Sequence, residues 1–189
     1  SRVYENYKTS RQMKLITEAS AEKLRGGFYT PEPIAEFVLR WGVNGSKDFD
    51  ILEPSCGDGV FLEQLKKQKL KYKSITAVEL DEEEAAKAEK IKLNNKQIIN
   101  KDFHTYCNST LERFDLIVGN PPYIRYQFFD MQQQAEAGDI FIKAGLTYSK
   151  LTNAWVSFVV GSSLLLKDKG GRIGFVLPAE VLQVSYALQ

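Results

Sequence analysis

From residue 50 onward, short apolar runs alternate with helical stretches, and this alternation limits the possible folds more than any other feature. Asp50-Ile51-Leu52-Glu53 reads as a short buried strand, followed by a glycine turn and a helix from about Val60 to Lys69. Ser74–Val78 is a second strand, and Asp81 opens a helix rich in Ala, Glu and Lys that ends near Asn94-Asn95. Gln97–Asn100 is a third strand and Phe114–Val118 a fourth. Thr152–Leu166 reads as a long apolar helix, Lys169-Gly170-Gly171 as a turn, and Arg172–Leu177 as a fifth strand. Strands that alternate with helices make a parallel sheet covered on both faces, so the expected class is α/β and Rossmann-like. Ligands of such sheets bind beyond the carboxyl ends of the strands, near the point where the strand order reverses.

The flanking segments carry weaker signals. Residues 1–25 suggest a polar, helical lead-in, separate from a catalytic domain over 26–189. Thr30-Pro31-Glu32 reads as a helix start, with Thr30 as N-cap and Pro31 in the first helical position. That helix runs through Ile34, Phe37, Val38 and Trp41 and stops near Gly42. Between Tyr126 and Lys150 the pattern fades, and Gln132–Gly138 suggests a mobile loop.

With 189 residues, 43% of them hydrophobic, the chain can bury a real core. No apolar run approaches the ~20 residues of a membrane span, and Ser1-Arg2-Val3-Tyr4 lacks the apolar region of a signal peptide. The two cysteines form no CxxC, and His104 is the single histidine, too few ligands for a structural zinc site. No metal is expected, and two free thiols suit a reducing bacterial cytoplasm. A net charge of +1 argues neither for nor against nucleic acid. The lysines at 66, 67, 69, 71 and 73 read as a solvated helix end.

The candidate site residues fall at strand ends. Glu53-Pro54-Ser55-Cys56-Gly57-Asp58-Gly59 links the first strand to its helix, and its glycines permit a close backbone approach. The third glycine of a dinucleotide fingerprint is replaced by Leu62, and an acid at the strand end would repel a pyrophosphate. S-Adenosylmethionine brings an ammonium and a sulfonium and no phosphate, so Glu53 and Asp58 become favourable partners. Glu79 ends the second strand, just before Leu80, where a carboxylate can accept both ribose hydroxyls. Asp102 offers an acceptor for an adenine amino group, with Phe103 as an aromatic neighbour. Cys56 reads as a small residue in a tight turn. Directly after the fourth strand stands Asn120-Pro121-Pro122-Tyr123. Two prolines stiffen this backbone and remove two N–H donors, leaving carbonyl oxygens as acceptors. The Asn120 side chain adds an acceptor and Tyr123 a flat face, a combination suited to a planar NH2 group.

Together these residues resemble the amino-methyltransferases, most closely the gamma-class adenine-specific DNA methyltransferases of bacterial restriction–modification systems, the TaqI-like group. The matching order is Gly27–Pro31, Glu53–Gly59, Val78-Glu79, Asp102-Phe103 and Asn120–Tyr123. The resemblance implies methyl transfer from S-adenosylmethionine to N6 of an adenine flipped out of double-stranded DNA. Tyr29, Thr30, Glu53, Pro54, Cys56, Gly57, Asp58, Gly59, Glu79, Leu80, Asp102, Phe103 and Asn120 would then line the cofactor. Asn120, Pro121, Pro122 and Tyr123 would form the catalytic turn. The family sheet has seven strands and is followed by a target-recognition domain. Five strands are legible here, so the last two strands and that domain are expected to be missing from the chain, which would then bind cofactor weakly and not methylate DNA specifically. A fused or partner endonuclease is a further expected partner. A protein-glutamine or RNA amino-methyltransferase is the alternative, because a carboxamide is also a planar NH2.

Overall fold

A computed structural model describes residues 29–149, 152–177 and 179. The expected lead-in over 1–25 lies outside the described residues. Helix α1 (Glu32–Val43) is followed by β1 (Asp50–Glu53), α2 (Val60–Lys67), β2 (Ser74–Glu79), α3 (Glu82–Lys90), β3 (Lys96–Asn100) and α4 (Phe103–Ser109). Then come β4 (Leu116–Gly119), a 3-10 turn (Tyr126–Phe128), α5 (Met131–Lys143), α6 (Ala154–Leu164) and β5 (Arg172–Phe175).

The five described strands form one sheet in the order β3-β2-β1-β4-β5, and every pairing is parallel. Because alternate residues of a strand face opposite ways, both faces must be covered. Ile51, Leu116 and Val118 pack with Leu39, Leu62 and Ala88 on the side of α1, α2 and α3. Leu52 and Ile117 pack with Phe103, Ile140 and Phe158 on the side of α4, α5 and α6. The strand order reverses between β1 and β4, which opens the crevice there on the carboxyl side. Among the described residues no helix is long and apolar enough to cross a membrane.

Several local expectations are corrected. The N-cap of α1 is Pro31, whose backbone is extended (φ −59°, ψ 135°) and which makes no side-chain cap; Thr30 lies one residue earlier and is buried. The inward face of α1 is Ala35, Leu39, Gly42 and Val43, so the stripe read from Ile34, Phe37 and Trp41 faces outward. Small residues are what this face requires: a Cβ on Gly42 would stand 2.6 Å from Leu116 Cδ1. Helix α3 stops at Lys90 because Ile91 is already extended.

The suggested loop at Gln132–Gly138 is the body of α5. Its start is a capping box, with Asp130 accepting from the Gln133 N–H and the Gln133 side chain accepting from the Asp130 N–H. Ala137, Ile140 and Phe141 then bury one face, so this segment is packed against α4 and α6. Helix α4 had no counterpart in the sequence reading.

Candidate active site

Beyond the carboxyl ends of β1, β2, β3 and β4 lies a cleft of about 640 Å³. Thirteen of the residues singled out above line it: Tyr29, Thr30, Glu53, Pro54, Cys56, Gly57, Asp58, Glu79, Leu80, Asp102, Phe103, Asn120 and Pro122. Gly59, Pro121 and Tyr123 do not. Gly59 sits behind the turn as the N-cap of α2 at φ +100°, and Pro121 is buried. Tyr123 is half-buried, and its hydroxyl donates to the Val176 carbonyl just past β5.

The glycine turn is held by the neighbouring strand. The Cys56 N–H donates to the Val78 carbonyl, and the Gly57 N–H donates to Glu79 Oε2 at 2.8 Å. Glu79 Oε1 accepts from the Asp81 N–H, also at 2.8 Å. Each Glu79 oxygen therefore keeps one lone pair for a ligand hydroxyl. Burial raises its carboxyl above the ordinary range, against these two N–H donors, which lower it.

Glu53 is the outlier of the site. It is 1% exposed, and its Oε2 has no hydrogen-bond partner among the described residues. Burial first, then the neighbouring Glu79 and Asp58, push its carboxyl well above the usual carboxylate range. An unpartnered buried acid costs stability, so a cation or donor supplied by a ligand is the natural complement. The same burial and the same acids push the Cys56 thiol far up, so it is an inert small residue here.

At the far wall, Asp102 is the N-cap of α4. Phe103 is only 2% exposed, and its ring stacks on Phe158 at 4.7 Å between centroids. It therefore meets the cleft mainly as wall, and the apolar lining is shared with Ile124, Phe128, Phe129 and Phe158. The sequence reading missed these four, although the adjacent aromatics at 128 and 129, a few residues after the Asn-Pro-Pro-Tyr turn, were the available signal. The Asn120–Tyr123 turn is tied to the glycine turn, since Ser55 Oγ donates to the Asn120 carbonyl at 3.3 Å. One cleft thus holds an acid-lined half and the Asn120-Pro122 edge. Among the described residues no cluster of side chains could hold a metal ion.

The sequence and the fold have relatives among known proteins. The family described as Eco57I restriction-modification methylase matches residues 7–189. The Type II methyltransferase M.HincII of Haemophilus influenzae is 31% identical over 153 residues, which are 81% of this chain and 28% of that protein. The chain therefore spans less than a third of that relative's length. A tRNA1(Val) (adenine(37)-N6)-methyltransferase of the same organism is 29% identical over 138 residues, covering 69% of this chain and 54% of that enzyme. Among solved structures, a class I S-adenosylmethionine-dependent methyltransferase of Listeria monocytogenes shares the fold, with a TM-score of 0.64 at 16% identity over 84% of this chain and 50% of that one. With nearly its whole length matched and its sheet and cleft arranged in this way, the chain belongs to the Eco57I restriction-modification methylase family.

Proposed function

We propose that the chain carries the cofactor pocket and target-amine site of an S-adenosylmethionine-dependent methyltransferase that modifies N6 of adenine in DNA. The buried Glu53 carboxylate, with one oxygen unpartnered in a cleft that also holds Asn120, is the observation that carries this reading. The donor set fits: carboxylates at the ends of β1 and β2 suit a ligand with positive charge and hydroxyl hydrogens, and repel a phosphate. When bound, S-adenosylmethionine supplies a methyl group made electrophilic by its sulfonium.

The chain's own groups do the positioning. Glu53, with Thr30 and the Gly57-Asp58-Gly59 turn, holds the methionine end, and Glu79 accepts from the ribose. Asp102 accepts from the cofactor's adenine amino group beside Leu80 and Phe103. On the other side, the Asn120 side-chain oxygen and the Pro121 carbonyl accept the two hydrogens of the target NH2. An adenine amino lone pair is delocalised and weakly nucleophilic. Acceptors out of the ring plane favour a tetrahedral nitrogen and stabilise the charge that develops on it, so alignment replaces a strong base. Tyr123, anchored through its hydroxyl at the edge of β5, offers its ring to the base, a stack worth about 1–3 kcal/mol.

The substrate adenine must be extruded from its duplex at a cost of a few kcal/mol. A target-recognition domain and an endonuclease of the same system are the partners this reading implies. The similarity to a tRNA adenine methyltransferase makes RNA the other substrate to test. The decisive experiment is transfer of a labelled methyl group by the full-length protein to duplex DNA, tRNA and protein, with the product base identified. Label in N6-methyladenine of DNA is expected. Label in RNA or glutamine alone would replace the substrate, and failure of S-adenosylmethionine to raise the melting temperature above that seen with NAD would end the cofactor assignment.

A further inference from the structure

Behind the cleft, Asp102 is the exposed end of a chain of buried side chains. Its Oδ1 accepts from the backbone N–H of His104 at 2.9 Å and of Thr105 at 3.2 Å. His104 is fully buried; its Nδ1 lies 3.1 Å from the same Oδ1, and its Nε2 lies 2.7 Å from Ser157 Oγ on α6. Ser157 is also fully buried, with the Ala154 carbonyl 2.8 Å from its hydroxyl. From α5, Gln133 Nε2 donates to Asp102 Oδ2 at 3.1 Å while its Oε1 accepts from the Asp130 N–H. The rings of Phe129 and Phe158 meet the imidazole edge-on.

Counting protons gives this chain a direction. An ionised Asp102 offers lone pairs only, so the hydrogen between the two must sit on Nδ1. Ser157 has one hydroxyl hydrogen and two acceptors in reach. With a neutral imidazole it donates to Nε2; with a charged one, Nε2–H donates to Oγ and the hydroxyl turns to Ala154. The hydrogen bonds close in either charge state, and Nδ1–H faces Asp102 in both. A hydrogen on Nε2 alone would set a lone pair against the carboxylate.

We propose that His104 and Ser157 are positioning residues that keep Asp102 an aimed hydrogen-bond acceptor, so that this end of the cleft selects a purine 6-amino group over a 6-oxo group. The inference rests on the reading in which Asp102 meets the cofactor's adenine. With Oδ1 occupied by three donors, Oδ2, one lone pair of which takes Gln133, is the acceptor left for a ligand. A protonated Asp102 would present a donor and favour the 6-oxo form. Burial raises the Asp102 carboxyl, but the hydrogen bond and charge of His104, with Gln133 and Thr105, hold it below its ordinary value. The groups facing the pair are therefore Thr105 on α4, Gln133 on α5, Ser157 and Phe158 on α6, and Phe129; Lys101 is the nearest charged residue in sequence and lines the same cleft.

The test is titration of the protein with S-adenosyl-L-homocysteine and with its 6-oxo counterpart, S-inosyl-L-homocysteine, from mildly acidic to neutral pH. Wild type should prefer the 6-amino ligand, and the ratio of the two affinities should stay flat into the acid range, because a proton on Glu53 weakens both ligands alike. His104→Phe should cut that preference roughly tenfold, about one charge-assisted hydrogen bond. It should also bring an acid limb into view in that ratio, because burial then raises Asp102 against only the Gln133 and Thr105 donors. Ser157→Ala should shift both readouts the same way by less, and His104→Gln, which restores an N–H donor, should recover part of the preference. A folded Ser157→Ala and His104→Phe with wild-type preference and pH profile overturn the inference; if His104→Phe does not fold, Ser157→Ala decides alone. Wild-type protein that binds neither ligand overturns the cofactor reading itself, and this inference with it.

Discussion

A buried carboxyl group that the fold leaves unpartnered, as at Glu53, sets stability against binding. Its folded-state value lies above that of the unfolded chain, so the fold prefers the protonated form. The stability this contributes is full below the unfolded value near 4.5 and is lost as pH rises toward the folded one. A neutral isostere removes the loss. Melting curves of cofactor-free Glu53→Gln should therefore lie above wild type at neutral pH, with the gap widening as pH rises from the acid side. The same variant should bind S-adenosyl-L-homocysteine or S-adenosylmethionine roughly 10- to 100-fold more weakly, the worth of one hydrogen bond to a charged group at about 1.5–3 kcal/mol. A variant that is destabilised at neutral pH, or that binds as wild type does, would show that Glu53 is a structural acid. Gly59 is constrained by shape instead: its φ of +100° and an added Cβ 2.5 Å from Ile91 Cδ1 both oppose a side chain. Gly59→Ala should cost about 1–3 kcal/mol in denaturant unfolding, with weaker cofactor binding because the turn over Glu53 moves.

At the scale of elements, α5 is set by its first turn. Replacing its cap, Asp130→Ala, removes an acceptor for the Gln133 N–H and should cost about 1 kcal/mol. It also loosens the first turn that carries Gln133, whose side chain braces Asp102, so cofactor affinity should fall as well; an unfolding midpoint and a dissociation constant both at wild-type values would contradict this. The same helix explains where the sequence misled. Gln132–Gly138 has no clean apolar period, because Ala137 and Gly138 bury by being small, and the informative signal was the Asp130–Gln133 box. Helix α4 was invisible because Asp102 and Phe103 were weighed only as ligand contacts, whereas the acid is also its N-cap. In α1 the eye follows Phe37 and Trp41, yet the buried face is the one whose residues fit against Leu116. The strands were legible because each carries a short apolar run, and β1, β2 and β4 end in Glu53, Glu79 and Gly119. The site was legible for the same reason: the sheet's geometry collects strand ends, so residues 53, 58, 79, 102 and 120 meet without any pairwise prediction. The aromatic wall, built by a 3-10 turn and two helices, needed tertiary packing to appear.

Across the whole molecule the sheet has two unlike poles. At the amino ends, the acids Asp50 and Asp115 are neutralised: Lys167 lies 2.9 Å from one and 2.6 Å from the other, and Lys73 lies 3.3 Å from Asp50. At the carboxyl ends, neither Glu53 nor Glu79 forms an ion pair among the described residues, though Glu53 is the more deeply buried. Strand β1 spans the two poles, with a lysine-paired acid at its first residue and an unpaired one at its last. A fold able to place lysines at one pole leaves Glu53 and Glu79 unpaired at the other, and under the proposed function the missing positive charge is what S-adenosylmethionine would bring. The arrangement has a calorimetric consequence. Because burial and the adjacent acids raise the Glu53 carboxyl, the cofactor-free fold favours a proton there, whereas a bound sulfonium and ammonium would favour the ionised form. Binding of S-adenosylmethionine should therefore release protons, so the observed enthalpy should differ between buffers of low and high ionisation enthalpy at the same pH. The release should shrink as pH rises and disappear in Glu53→Gln. An enthalpy independent of buffer in wild type would mean that Glu53 is already ionised before the ligand arrives, and the two poles would then differ only in geometry.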